Sequence, residues 1–186
     1  MRRIIRRREL VADDVRYAGE PADAGTRAVQ PAGEFIAALS AGGAAGAGDA
    51  SGAGDASGAG DASGAGDASG GGSAVLLAPP DDVETLAPHL SLLQLIVVDF
   101  PKIGEGRGFS QARLLRQRYG YRGELRARGA LKRDQLFFLA RCGFDSFDLD
   151  PAENLEAALG ALDAFSVAYQ DGSDALVHVQ RRASPA

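Results

Sequence analysis

The sequence predicts an α/β fold with a mainly parallel sheet of about five strands, built from consecutive β-α units. One observation is the continuous apolar run LQLIVVDF within Leu92–Phe100, which is typical of a strand buried on both faces of a parallel sheet. Another is that strand-like runs alternate with helical patterns of about ten to fifteen residues from Ala74 onward. The third is composition, because 186 residues with 45% hydrophobic content can form one domain with a core.

Residues 1–40 are predicted to form a short β-type extension before that domain. The apolar pairs Ile4–Ile5 and Leu10–Val11 lie between charged residues, a pattern compatible with two strands or a hairpin. Several arginines surround the first pair, and they either keep an edge strand soluble or contact an acidic partner. They are Arg2, Arg3, Arg6, Arg7 and Arg8. Glu34–Leu39 is predicted to form one or two helical turns.

Residues 41–73 are predicted to form a disordered insertion. The segment contains only Gly, Ala, Ser and Asp, with four tandem copies of GAGDAS that begin at Gly46. None of its residues is larger than aspartate, so no side chain offsets the entropy of ordering the backbone. We therefore interpret it as a flexible, weakly acidic spacer.

Residues 74–170 are predicted to form the α/β domain, and residues 171–186 a C-terminal tail. The predicted strands are Ala74–Ala78, Leu92–Phe100, Gly123–Ala127, Phe144–Leu149 and Ser166–Gln170, with a further short strand at Ala175–Val179. The predicted helices are a brief one capped by Asp81 or Asp82, one from a Ser110 cap to Tyr119, Leu131–Cys142, and one started by Asp150, Pro151 and Glu153.

Two arrangements fit this alternation: a small doubly wound sheet, or an arc resembling half a barrel. Both place the carboxyl ends of the parallel strands at a single edge, and ligands in such folds bind there. The expected functional site therefore lies at that edge in either case.

Basic residues concentrate where the predicted strands end. Between Asp99 and Asp150 the chain has eleven Lys or Arg against seven Asp or Glu, a balance of +4, whereas the whole chain carries −5. A basic region inside an acidic protein favours a local site for a small oxyanion or phosphorylated ligand over general nucleic-acid binding, so no nucleic-acid partner is expected.

The glycine-rich turn after Asp99 is the centre of the predicted anion site. Its glycines allow close approach of the backbone, and the amides at the start of the following helix favour negative charge. The predicted anion-binding residues are Lys102, Gly106, Arg107, Gly108, Ser110 and Arg128. Arg126, Asp134 and Gln135 are predicted to support them, Arg126 through an ion pair. Asp99 is a weak candidate for a catalytic acid or base, and the alternative interpretation is a structural turn whose arginine pairs with Asp99 or Glu105.

The sequence gives no indication of a cofactor, a metal site or a membrane span. GEGRGF matches neither the dinucleotide fingerprint nor the phosphate-binding loop of nucleotide hydrolases. A single cysteine, Cys142, excludes an iron–sulfur cluster held by this chain alone. No apolar run approaches the roughly 18 residues of a membrane span. We expect a cytoplasmic protein without cofactor.

The run FPKIGEGRGFSQARLLRQRYGYRGELRARGALKRDQLFFLARCGFD, with LAPPDDVETLAPHL before it, resembles a bacterial family called domain of unknown function 934. Members of that family are described as probable oxidoreductases involved in sulfite reduction. The resemblance implies an accessory protein of assimilatory sulfite reduction that binds either sulfite reductase or a sulfur oxyanion, with the redox cofactors held by the reductase. Two alternatives stay open: an independent enzyme acting on a phosphorylated or other anionic metabolite, and an interaction module that uses the helix face of Arg113, Arg116 and Arg118.

Overall fold

The computed structural model describes residues 2–20, 26–43, 73–165 and 172–173. Its strands are β1 (Arg3–Arg6), β2 (Glu9–Ala12), β3 (Val15–Arg16), β4 (Arg27–Pro31), β5 (Ser73–Leu77), β6 (Leu93–Phe100), β7 (Glu124–Gly129) and β8 (Ser146–Asp148). Its α-helices are α1 (Ala32–Gly43), α2 (Val83–Leu86), α3 (Arg107–Arg113), α4 (Leu136–Arg141) and α5 (Leu155–Ala161). Short 3₁₀ segments cover Ala87–Leu92 and Arg133–Gln135, and a π-helical turn covers Leu114–Arg118.

The described strands form one mixed sheet of eight strands in the order β2-β1-β8-β7-β6-β5-β4-β3. From β3 to β8 the strands are parallel and lie side by side in chain order. A doubly wound sheet would reverse its strand order once, whereas this order never reverses between β3 and β8. The sheet is therefore a curled half-barrel, one of the two arrangements that the sequence left open.

The mainly parallel α/β fold is confirmed, but the count of about five strands is not. The difference arises because residues before the spacer join the same sheet: β4 pairs with β5, and β1 pairs with β8. The predicted hairpin is present, with Ile4 opposite Val11 and Ile5 opposite Leu10 in an antiparallel pair.

The two faces of the sheet bury different sets of residues. Side chains from all five α-helices pack on one face, against residues such as Ile96, Val98 and Leu125, which are completely buried. The opposite, concave face carries a smaller apolar cluster of Val15, Tyr17, Val29, Ala74, Leu95 and Val97. Because β6 is apolar on both sides, it is covered by both clusters, as its sequence predicted.

Two predicted helix starts are wrong. Helix α3 begins at Arg107 with Gly106 as its cap, so Ser110 lies inside the helix rather than at its start. Helix α5 begins at Leu155, where the side chain of Asn154 accepts hydrogen bonds from two backbone amides. Asp150 instead accepts from the Ala152 amide in the turn that precedes α5. The predicted Asp82 cap of α2 is confirmed.

Part of the predicted spacer and the last two predicted strands lie outside the described residues. Helix α1 extends through residue 43 and β5 begins at Ser73, so the described chain includes both ends of the predicted insertion. Residues 44–72 connect those elements and fall outside the described ranges, as do Ser166–Gln170 and Ala175–Val179.

Candidate functional site

The concave face of the half-barrel carries a network of charged side chains. Along β7, Leu125 and Ala127 belong to the helix-side core, so the alternating residues Glu124, Arg126 and Arg128 point to the concave face. Residues of the N-terminal segment, which lies across this face, complete the network.

Arg126 is the most deeply buried member of the network, with a side chain 0% exposed. Its guanidinium donates to Asp13 at 2.7 Å and to Glu124 at 2.9 Å, and Ser146 in turn donates to Glu124 at 2.7 Å. The predicted ion pair of Arg126 is therefore present. One partner is on its own strand and the other lies between β2 and β3, rather than on a neighbouring strand of the domain.

The carboxyl ends of the parallel strands bring together five side chains, which we call the carboxyl-edge cluster: Arg2, Tyr17, Asp99, Arg128 and Asp148. Asp99 and Arg128 lie opposite each other in the register of β6 and β7. Arg128 approaches Asp148 at 3.5 Å, and its guanidinium carbon lies 3.4 Å from the centroid of the Tyr17 ring. Arg2 lies 4.9 Å from the same centroid and 3.7 Å from Asp148.

Burial dominates the electrostatics of this cluster. It raises the pKa of the Asp99 carboxyl, although the charge of Arg128 opposes the shift. Burial likewise raises the pKa of Asp148 against the charge of Arg2. Tyr17 is 5% exposed, and burial raises its pKa to about 12 against the charge of Arg126. Its hydroxyl lies near the Arg126 guanidinium and makes no hydrogen bond of normal geometry with the described residues. The cluster therefore contains two carboxyl groups, Asp99 and Asp148, whose pKa values lie above the usual value for aspartate.

The predicted anion-binding turn lies at the same edge but faces solvent. Lys102, Gly106 and Arg107 are exposed. Arg107 approaches Glu105 at 3.6 Å, and the Glu105 carboxylate accepts from the Arg107 amide at 3.2 Å. The Glu105 carboxylate therefore already occupies the Arg107 amide, one of the backbone donors at the start of α3.

Gly108 and Gln135 have clear structural roles. A side chain at Gly108 would place its Cβ 2.5 Å from the Phe100 ring, so this glycine allows α3 to pack closely on β6. The side-chain oxygen of Gln135 accepts a hydrogen bond from the Lys132 amide at 3.0 Å and so satisfies a backbone donor in the loop before α4. Asp134 and Ser110 are exposed. The strand register places Asp99 opposite Arg128, and ligand binding by the predicted set stays a prediction.

Sequence reasoning missed the contribution of the N-terminal segment to this site. Arg2, Asp13, Tyr17 and Glu20 were assigned to an extension outside the domain. The Glu20 carboxylate accepts from Arg2 and from the Tyr17 amide, both at 2.9 Å. The adjacent acids Asp13 and Asp14, following an arginine-rich strand, were the available signal that this segment carries polar contacts.

Two cavities flank the cluster. One of about 490 Å³ lies between the start of β1 and the turn before α5, lined by Arg2, Arg3 and Glu153 among others. A smaller one of about 160 Å³ lies beside Tyr17 and Glu20. A larger cavity of about 830 Å³ lies at the opposite, amino edge of the sheet.

Within the described ranges, no group of three or more His, Cys, Asp or Glu residues is placed to hold a metal ion. None of the helices in those ranges is long and apolar enough to span a membrane.

None of the curated proteins matches the chain. A family model does match it, over residues 74–178, which include β5 to β8 and more than half of the sequence. The protein therefore belongs to the family described as bacterial protein of unknown function (DUF934).

Proposed function

We propose that this protein is an accessory protein of assimilatory sulfite reduction in the cytoplasm, and that it binds the reductase, or a small oxyanion, at the carboxyl edge of the half-barrel. Sulfite reduction is the process that the family resemblance implies. The position is the edge at which α/β folds with parallel strands bind their ligands.

The observation that carries the proposal is the exposed loop between β6 and α3. The Ile103 side chain is 64% exposed, and the exposed cations Lys102 and Arg107 lie on either side of it in the chain. Within the described residues, Lys102 has no ion-pair partner, and Arg107 has only Glu105 at 3.6 Å. An apolar residue flanked by cations suits an acidic protein surface, because burial gives affinity and charge gives orientation.

The carboxyl-edge cluster favours the reductase over an oxyanion as the bound partner. Its cations are already compensated: Arg2 contacts Asp13 and Glu20, and Arg128 contacts Asp148. An incoming oxyanion would have to displace these carboxylates, whereas a protein that contacts the neighbouring loop would leave them in place.

The experiment is affinity capture by the full chain from bacteria grown on sulfate as the sole sulfur source. Sulfite reductase, identified by mass spectrometry and by sulfite-reducing activity, is the expected captured protein. Capture should weaken at high salt, because exposed charges are screened. The Lys102→Glu/Arg107→Glu variant should lose at least about tenfold of the bound reductase, since it places like charges against an acidic surface.

Arg113→Glu is the control for each of the two loop substitutions made singly, because it reverses one positive charge in the same way at an exposed position of α3 outside the loop. It also tests the helix-face module, whose middle residue Arg116 bonds to Tyr121, Gly123 and Gly143 carbonyls instead of facing a partner. Reductase capture that survives the loop variant, or that depends equally on Arg113, contradicts docking through the carboxyl edge. Failure to capture the reductase under any salt condition contradicts the accessory role.

A second candidate function rests on the pairing of Asp99 with Arg128. A half-buried carboxyl with a raised pKa next to a cation suits an acid–base residue acting on an anionic metabolite. The test is turnover of a metabolite extract by the purified protein, followed by mass spectrometry. Loss of that turnover in Asp99→Asn, with the fold retained, would favour an independent enzyme. Unchanged turnover would remove Asp99 from the mechanism.

A further inference from the structure

A cavity lies at the amino edge of the sheet, away from the carboxyl-edge cluster. It has a volume of about 830 Å³, within the usual range of about 300–1,000 Å³ for small-molecule sites. Its lining includes four arginines, Arg7, Arg8, Arg116 and Arg122, together with the aromatic residues Tyr121 and Phe144.

The arginines of this cavity differ in how far their charge is compensated. Arg116 is fully engaged, because it donates to three backbone carbonyls and pairs with Asp145. Arg8 pairs with Asp163, whose side chain is 71% exposed, and such an exposed pair contributes little. Arg7 and Arg122 have no side-chain partner among the described residues and are exposed. Arg116 therefore forms part of the cavity wall. The positive charge available to a ligand comes from Arg7, Arg8 and Arg122.

The turn between β1 and β2 holds two of these arginines in an unusual backbone conformation. Arg7 and Arg8 are the two non-glycine residues in the described ranges with positive φ, at 47° and 67°. These angles define a two-residue hairpin turn in which Asn-Gly is preferred, because larger side chains are strained there. Such strain costs on the order of 1–3 kcal/mol per residue and tends to be retained at functional sites. Here it fixes two guanidinium groups at the rim of one cavity.

We propose that this cavity, which we call the amino-edge cavity, binds a small organic anion with two or more negative charges on oxygen, such as a phosphate ester or a polycarboxylate. Arg7, Arg8 and Arg122 would bind the charged oxygens, since guanidinium groups match phosphate and carboxylate geometry. Tyr121 and Phe144 would contact the organic part. This site is independent of the reductase-binding edge.

The test measures thermal stabilisation and calorimetric binding of inorganic pyrophosphate and citrate to the full chain, at constant ionic strength. Each probe at millimolar concentration should raise Tm by about 2 °C or more if it binds the folded state. A preference for pyrophosphate indicates a phosphate ester as the natural ligand, and a preference for citrate indicates a polycarboxylate. No stabilisation and no binding heat with either probe overturns the proposal.

The Arg7→Asn/Arg8→Gly variant separates binding from stability. It creates the preferred turn residues, so the variant without ligand should have an equal or higher Tm than the original protein. It should nevertheless lose at least about tenfold in probe affinity. Arg122→Gln, which leaves the turn intact, should reduce affinity in the same direction.

Arg133→Gln is the matched control, because it removes an exposed arginine outside the amino-edge cavity. It should bind the probes like the original protein. Retained affinity in both cavity variants, or an equal loss in Arg133→Gln, overturns the proposal, because the binding would then reflect overall charge.

Discussion

Arg126 and Asp13 form a buried ion pair at 2.7 Å although they lie 113 positions apart in the chain. Their side chains are 0% and 2% exposed. Arg126 belongs to β7, within the region that matches the family, whereas Asp13 precedes β3 in the N-terminal segment. The pair therefore fixes the N-terminal segment across the concave face of the half-barrel and holds Tyr17 near Arg128.

Replacing Arg126 by methionine should destabilise the protein by about 3 kcal/mol, because the Asp13 and Glu124 carboxylates would lose their buried cation and keep only Arg2 and Arg6, respectively. The free energy of unfolding in urea measures the loss. The double variant Asp13→Asn/Arg126→Met should recover part of it, since the buried carboxylate that has lost its Arg126 partner is removed. A cost below about 1 kcal/mol for Arg126→Met would show that the pair contributes little.

Removing the Tyr17 hydroxyl should not lower the free energy of unfolding. The hydroxyl is buried near the Arg126 guanidinium but makes no hydrogen bond of normal geometry with the described residues, so its loss in Tyr17→Phe relieves a desolvation penalty. We expect Tyr17→Phe to be at least as stable as the original protein, and Tyr17→Ala to lose about 3 kcal/mol with the ring that Arg128 stacks upon. Urea unfolding of both variants checks this, and a cost above about 1 kcal/mol in Tyr17→Phe would mean that the hydroxyl has a partner.

The strands of the domain could be predicted because their signal is local. The run in β6 is apolar at nearly every position, and only a strand covered on both faces buries such a run. The position of the N-terminal segment could not be predicted in the same way. Its contact with β7 depends on Asp13 meeting Arg126, and neither residue's neighbours in the sequence specify the other.

The predicted site residues Asp99 and Arg128 lie at the carboxyl edge of the sheet, but the N-terminal residues that adjoin them were not predicted. Asp99 and Arg128 follow from strand ends, which parallel topology brings to one edge. The start of α5 was misplaced because two nearby residues, Asp150 and Asn154, have side chains suited to capping, whereas α3 starts after Gly106 without a side-chain cap. Asn154 caps α5, whereas Asp150, the predicted cap, has its carboxylate bonded within the preceding turn.

Gly129 should tolerate substitution much less than Gly104. Both have positive φ, 118° and 86°, so an alanine is strained at either position. At Gly129 a Cβ would also collide with the Phe100 carbonyl, whose carbon would lie 2.9 Å away, whereas the space around Gly104 is open. We expect Gly104→Ala to cost about 1–2 kcal/mol, and Gly129→Ala to cost about 3 kcal/mol or more. Thermal unfolding compares them, and equal costs would contradict the close approach of β6 to β7.

Asp99→Asn should stabilise the protein at neutral pH. Burial raises the folded-state pKa of Asp99, although Arg128 opposes the shift, so folding favours the protonated carboxyl. The stabilising effect of that proton is fully present below the unfolded pKa of about 3.9, and it is lost as the pH rises through the folded pKa. Asparagine does not ionise and avoids this loss.

The gain from Asp99→Asn should therefore be near zero at about pH 3, below the unfolded pKa, and should grow to a constant value by about pH 8. It should stay below about 1 kcal/mol, because the half-exposed carboxylate is screened by solvent and attracted by Arg128. Urea unfolding of both proteins at the two pH values measures it. A variant that is less stable than the original protein at pH 8 would show that the attraction of Arg128 outweighs burial, and Asp99 would then be a structural anion rather than an acid–base candidate.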